Sequence, residues 1–251
     1  MKRKFLSILG LLVFTAESLE ANIISVSGGI AHPSFNSVID QNPAGYTYNT
    51  KNKISAEGFF PENTEDSIYG THGFLGNEAF GASLGIRHMN KTDKNICYYG
   101  IGVKIDKFNS SFGLVGKSNI TDENHNFNAG VLLGTTSQIT VGITAYDIKG
   151  SPDGYGIGVK YTVSNGASII IDASSDKELD SFRIKPGLHV QADNLALTVS
   201  YGFDTDKENV WAGAMHDDFS AGASYLLFND FLLQAYYRQL SKIYLSGTYI
   251  F

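Results

Sequence analysis

The sequence predicts an all-β fold: a transmembrane, antiparallel, up-and-down β-barrel of fourteen strands, with twelve as the alternative count. Three observations predict it. Apolar and polar residues alternate with a period of two in segments of about nine to eleven residues over most of the chain. Beyond Ala16, no stretch approaches the roughly 18 consecutive apolar residues that a membrane-crossing helix needs. The final segment carries an apolar row on one face that ends at Phe251. A chain that spans a bilayer without such a helix must close a sheet on itself, because only then does every backbone N–H and C=O find a partner.

The chain opens on the basic residues Lys2, Arg3 and Lys4, followed by a twelve-residue apolar run from Phe5 to Ala16 and then by Glu17 and Glu20. That order predicts a secretory signal peptide over residues 1–21, cut after Ser18 or after Ala21. An uncleaved anchor fits less well, since the run is short and acidic residues follow it. Without residues 1–21 the chain keeps 16 basic and 23 acidic side chains, a net charge of −7 that argues against nucleic acid as a partner. Cys97 is the single cysteine, so neither an intramolecular disulfide nor a cysteine zinc site is expected. The six histidines lack metal-ligand spacing, and HExxH and GxxxxGK[ST] motifs are missing. The expectation is a non-enzymatic protein without a cofactor.

Alternation is cleanest in Phe80 to His88, Cys97 to Asp106, Ile139 to Tyr146, Tyr155 to Thr162, Phe182 to Gln191 and Leu195 to Phe203. In each, one face is apolar and the other holds glycine, hydroxyl or charged residues. Turn-forming clusters such as Asn63 to Asp66, Lys149 to Gly154 and Asp193-Asn194 separate the segments. About fifteen segments qualify, and the weakest are Ser110 to Lys117 and Val210 to Met215. A single-chain bacterial barrel needs an even number, hence fourteen. A soluble sandwich would also show one apolar face, but it uses fewer and shorter strands.

If the apolar faces meet lipid, the opposite row lines a lumen. That row carries Arg87, Lys104, Lys160, Arg183, Lys185 and Arg238, with His189 beside them, against Asp106 and Asp172. Two readings stay open. The cations form a ligand-binding wall for anionic solutes or lipid head groups, or they pair with carboxylates of loops and plug and fill the interior. Inward glycines, including Gly81, Gly85, Gly100, Gly102, Gly142, Gly156 and Gly158, weaken strands unless something needs the space. Either neighbouring aromatics such as Tyr146 lie over them, which is the commoner case, or they leave room for an inserted N-terminal segment.

In the last segment Leu245, Tyr249 and Phe251 share a face with Ile243, interrupted at Gly247. That row resembles the terminal assembly signal of outer-membrane barrels. The resemblance implies the barrel assembly machinery and outer-membrane lipids as partners, and the bacterial outer membrane as location. Upstream of the first strand stand Ser27-Gly28-Gly29-Ile30-Ala31 and, about a dozen residues on, Asn42-Pro43-Ala44-Gly45. By local chemistry the tetrapeptide is an ordinary turn. Its position resembles the start of FadL-type outer-membrane channels for long-chain fatty acids and other hydrophobic compounds. That family implies fourteen strands and an N-terminal hatch in the lumen, here residues 22–51 before a barrel over 52–251. The resemblance covers Ser25 to Phe60; the chain is short for the family, and its inward row is polar where a fatty tail would need apolar walls.

Two functions follow as expectations. In the first, the barrel binds or passes a hydrophobic or amphipathic, lipid- or fatty-acid-like ligand, with Asn42 to Gly45 as plug. In the second it is a non-catalytic structural or pore-forming barrel, alone or as a homo-oligomer that packs against or encloses membrane lipid.

Overall fold

Period-two alternation folds into fourteen strands in a computed structural model of the chain. The structure describes residues 30–33, 39–48, 51–60, 67–77, 79–120, 125–134, 138–205, 218–238 and 242–251. The predicted signal peptide therefore lies outside the described residues. The strands are β1 (Lys53–Phe60), β2 (Ile68–Gly76), β3 (Phe80–Met89), β4 (Lys94–Ile105), β5 (Ser110–Asn119), β6 (His125–Gly134) and β7 (Ile139–Ile148). They continue as β8 (Gly154–Ser164), β9 (Ala167–Asp176), β10 (Phe182–Ala192), β11 (Leu195–Asp204), β12 (Asp218–Leu227), β13 (Phe231–Arg238) and β14 (Lys242–Ile250). The poorly alternating segment at Ser110 is a strand after all, β5, whereas Val210 to Met215 lies outside the described residues.

Every strand pairs antiparallel with its sequence neighbours, and β1 pairs with β14 to close the barrel. Closure leaves no edge with unpaired backbone groups. An even strand count also fixes the rims, which a count of fifteen segments leaves open. Lys53 stands opposite Ile250, so the barrel begins and ends at one rim. That rim carries the tight connections 165–166, 193–194 and 228–230, while the other carries the longer 61–67 and 205–217. Short turns mark the periplasmic side and long loops the outside.

The faces divide as the alternation requires. Outward Leu84, Ile101 and Ile157 are 64%, 51% and 52% exposed, whereas inward Ser55, Thr144 and Ser224 are at most 1% exposed. Exposed aromatics form two belts: Phe60, Tyr69, Tyr155, Phe182 and Tyr237 near the outer rim, and Phe80, Tyr161, Tyr225, Phe231 and Phe251 near the periplasmic one. Aromatic rings with a polar edge sit best where lipid tails meet head groups. Ile243, Leu245, Tyr249 and Phe251 all lie on the lipid face, as the terminal row predicts. Asp106 departs from the expected inward row. Lys104 ends the wall, and Asp106 starts the single-turn 3-10 helix Asp106–Phe108 at the periplasmic rim, where it pairs with Lys104 at 3.0 Å.

Irregularities in β6–β7 and in β10 shape the interior. The β6–β7 register shifts between Phe127 and Ala129, and Asp147 opposite adopts a left-handed backbone (φ 48°), which Asp tolerates better than most residues. The buried Asn128 side chain fills the bulge and accepts the Asp147 N–H at 3.0 Å. Pro186 sits mid-strand in β10 and interrupts the β10–β11 pairing, because its ring nitrogen has no proton to donate.

Candidate functional site

The site grows from glycines whose alignment only the register reveals. Gly81 pairs with Gly102, Gly102 with Gly113 and Gly113 with Gly130, a row across β3 to β6 on the inner wall. Gly142 pairs with Gly158 on β7 and β8 nearby. Bare backbone along this row lets a second chain segment approach far closer than any side chain would permit. The N-terminal segment lies in the resulting channel. A Cβ on Gly102 would stand 2.7 Å from the Tyr46 Cβ, and one on Gly81 would stand 2.8 Å from the Tyr46 carbonyl. Pro43 lies against Gly113, Asn42 against Gly130, and Ile30 with Ala31 against Gly142 and Gly158. Of the two readings of these glycines, room for the N-terminal segment holds at most positions; Gly156, shared by Ile30 and the Tyr146 hydroxyl, serves both.

Asn42-Pro43-Ala44-Gly45, expected from the sequence to be a turn or a plug, is a turn that lies inside the barrel against its wall. The Asn42 Oδ1 accepts the Ala44 N–H at 3.0 Å and its backbone carbonyl accepts the Gly45 N–H at 3.1 Å, starting the 3-10 helix Pro43–Tyr48. Its Nδ2 meanwhile donates to the Ile30 carbonyl (2.7 Å) and to the Val131 carbonyl of β6 (3.2 Å). Asn42 and Ala44 are fully buried. Down the segment Tyr46 is buried against Phe74 with ring centroids 5.9 Å apart and hydrogen-bonds Ser83, while the Thr47 hydroxyl meets that of Ser111 at 2.7 Å. Asn128 donates to the Ile39 carbonyl at 3.1 Å, and Asp172 accepts the Ile30 N–H at 3.0 Å.

An ion cluster fastens the other end. Arg87 on β3 gives its Nε to Glu57 on β1 and its Nη1 to Asp40 of the plug at 2.8 Å, with its guanidinium 4.9 Å from the centroid of the Tyr98 ring. Glu57 also accepts the Tyr244 hydroxyl at 2.8 Å. Gly70 leaves space for this pair, since a Cβ there would stand 2.8 Å from the Arg87 side chain. Beside Phe59 and Ile68 the cluster borders a cavity of about 220 Å³.

The other cations named from the sequence scatter around the wall. Arg183 pairs with Asp204 at 3.2 Å, Lys185 lies 3.4 Å from the Tyr236 hydroxyl, and Lys104 stands at the rim. Lys160 lies 3.4 Å from His32 Nδ1, and the ring of His189 is 5.1 Å from that of His32. The Arg238 side chain lies outside the described residues. Sequence reasoning misses Asp40, Glu57, Tyr46 and Asn128. Glu57 carries a signal, being a carboxylate on the inward parity of β1; the others depend on contacts across 37 to 89 residues. Among the described residues, no group of three or more His, Cys, Asp and Glu side chains could hold a metal ion.

Charge makes the seat pH-sensitive. Enclosure by the surrounding protein would raise the Asp40 carboxyl, but the Arg87 charge, with help from Lys117 and His72, holds it below its ordinary 3.8. Burial, then Lys160 and His189, hold the His32 imidazole well below its ordinary 6.5. Both groups have depressed values when docked, so both favour docking at neutral pH and lose that contribution on acidification. His32 weakens the seat as pH falls below 6.5, and Asp40 does so below about 4. Amide exchange of residues 39–48, taken relative to β7 to cancel the intrinsic pH effect, is expected to rise between pH 7 and pH 5. His32→Gln should remove most of that rise.

No protein-family model matches the sequence, and no curated protein does either. Solved structures do share its fold. The Acinetobacter baumannii outer membrane protein Omp33 superposes with a TM-score of 0.60 at 10% identity, covering 80% of this chain and 98% of its own. A mutant of the Rh. blastica porin gives 0.51 at 10% identity over 80% and 99% of the two chains. The Pseudomonas putida toluene transporter TodX gives 0.63 at 9% identity over 95% and 99%. That last match takes in more of the chain than the barrel from Lys53 to Phe251 occupies, so it reaches the segment ahead of β1. The closed sheet, its apolar belt and these likenesses make the chain a bacterial outer-membrane β-barrel.

Proposed function

We propose that this barrel is a plugged pore: residues 30–33 and 39–48 occlude a polar lumen, and their displacement opens a water-filled path across the outer membrane. The observation that carries this reading is the fit of the plug to the glycine row, where wall and plug touch backbone to backbone. Once the plug leaves, the wall it covered is lined by glycines, Ser83, Ser111, Asn128 and Thr144, which water solvates. Lys160 and Lys185 add positive charge to the inner face of the barrel, so the open pore is expected to prefer anions.

A hydrophobic cargo, such as the toluene that TodX transports, is less well supported. Two apolar concavities of about 700 and 640 Å³ are lined chiefly by outward side chains such as Leu75, Leu84, Tyr225 and Leu245 and therefore face lipid. Deleting residues 22–48 tests the pore reading. In planar bilayers the deletion variant is expected to conduct steadily with anion preference in a salt gradient, while the intact mature chain conducts rarely. Equal conductance of the two would refute it.

A further inference from the structure

The cavity of about 220 Å³ beside the ion cluster has a chemistry that the pore reading does not use. It lies toward the outer rim between plug and wall, bordered by Asp40, Glu57, Phe59, Ile68, Arg87 and Tyr244. Its size is below the roughly 300–1,000 Å³ of pockets for drug-sized molecules, so it suits a smaller guest. Its walls are mainly the apolar and aromatic surfaces of Phe59, Ile68 and Tyr244.

The charges bordering it are two carboxylates and one guanidinium. Arg87 is already committed, to Glu57 through Nε, to Asp40 through Nη1 and to the Tyr98 ring through its face. Glu57 is likewise committed at both oxygens, to Arg87 and Tyr244, and its side chain is 5% exposed. Asp40 differs. Its Oδ2 meets Arg87, and its side chain is 47% exposed. Of the other charged or titratable groups around Asp40, Lys117 already lies 3.5 Å from Asp147, and His72 faces it from β2. A guest carboxylate would have to displace one of two carboxylates from Arg87 and would meet the survivor's repulsion. An ammonium would meet an accessible carboxylate and aromatic faces, both of which attract a cation.

We propose that this cavity binds a small organic cation, a primary ammonium on a short apolar body, with Asp40 receiving the ammonium and Phe59, Ile68 and Tyr244 enclosing the body. The site goes beyond the pore reading and does not depend on it, since binding is read at equilibrium without any current.

The test is a calorimetric titration of the full mature chain, refolded in detergent, with butylammonium, butyrate and 1-butanol as probes. Two variants accompany it: Asp40→Asn, which removes the charge, and Ile68→Trp, which fills the cavity and leaves Asp40 in place. Heat-modifiable migration on gels checks that each barrel is folded. Butylammonium is expected to bind saturably and more tightly than either other probe. Asp40→Asn should weaken it about tenfold or more, the effect of losing one charge-assisted hydrogen bond. Ile68→Trp should weaken it as well. Butyrate binding as tightly as butylammonium, no saturable butylammonium binding, or undiminished binding by either folded variant would each overturn the proposal.

Discussion

Gly142→Val is expected to loosen the plug and turn a mostly closed barrel into a conducting one, without unfolding it. The wall at Gly142 cannot retreat, because its strand is paired on one side through Leu132 and on the other through Gly158. A Cβ at this position would run into the Ile30 carbonyl and stand 2.8 Å from the Ala31 nitrogen. The segment that yields must therefore be the plug. Overpacking of this kind costs about 1–3 kcal/mol, which shifts a docked-to-undocked ratio by roughly five- to 150-fold. Valine is itself a better strand residue than glycine, so the barrel loses nothing locally. Ile143→Val, one residue along on the lipid face, is the control and should leave conductance unchanged. A Gly142→Val barrel as silent as the parent would show that the close approach does not govern the plug.

Arg87→Ala is expected to be the most destabilising single change in the lumen. Arg87 and Glu57 are 15% and 5% exposed, so removing the guanidinium leaves a nearly buried carboxylate with the Tyr244 hydroxyl alone. Stranding one member of a buried ion pair costs about 3–5 kcal/mol. Asp40 adds less, because water reaches it and screens the pair. Thermal unfolding in detergent should fall by several degrees, and exchange of residues 39–48 should rise at the same time. The double variant Arg87→Ala/Glu57→Gln should recover much of the barrel's stability, since the stranded charge is gone. It should not recover plug protection, because Asp40 still lacks its partner. If the double variant is no more stable than the single one, the stranded carboxylate is not the cause.

The barrel is legible in the sequence because its physics is local. Leu195, Leu197 and Val199 face lipid and Ala196, Thr198 and Ser200 face the lumen for a reason readable within about six residues, and the terminal row at Phe251 is equally local. The inward parity of Arg87, Lys160, Arg183 and His189 is legible in the same way, whereas what they touch is not. Arg87 meets Glu57 thirty residues upstream and Asp40 forty-seven upstream. The glycine row is the clearest case. Each glycine is visible as a weak point in its strand, but Gly81, Gly102, Gly113 and Gly130 become one feature only when the register aligns them. Their commoner explanation, a neighbouring aromatic of the wall, fails at most of them because the occupant comes from the chain ahead of β1. Asp106 shows the converse error, since alternation there runs past the end of the wall into a turn.

On the proposed reading the plug moves as a separate element and decides whether the lumen conducts. Thr47 and Ser111 offer the direct test, since their hydroxyl oxygens already meet at 2.7 Å between plug and wall. A Thr47→Cys/Ser111→Cys barrel, with Cys97→Ser to remove the native thiol, can be locked by oxidation and freed by reduction. Measured in planar bilayers at about pH 5, where the cost of keeping His32 neutral weakens the seat, the oxidised barrel should be silent and the same barrel should conduct after reductant is added. Equal currents before and after reduction would contradict the account.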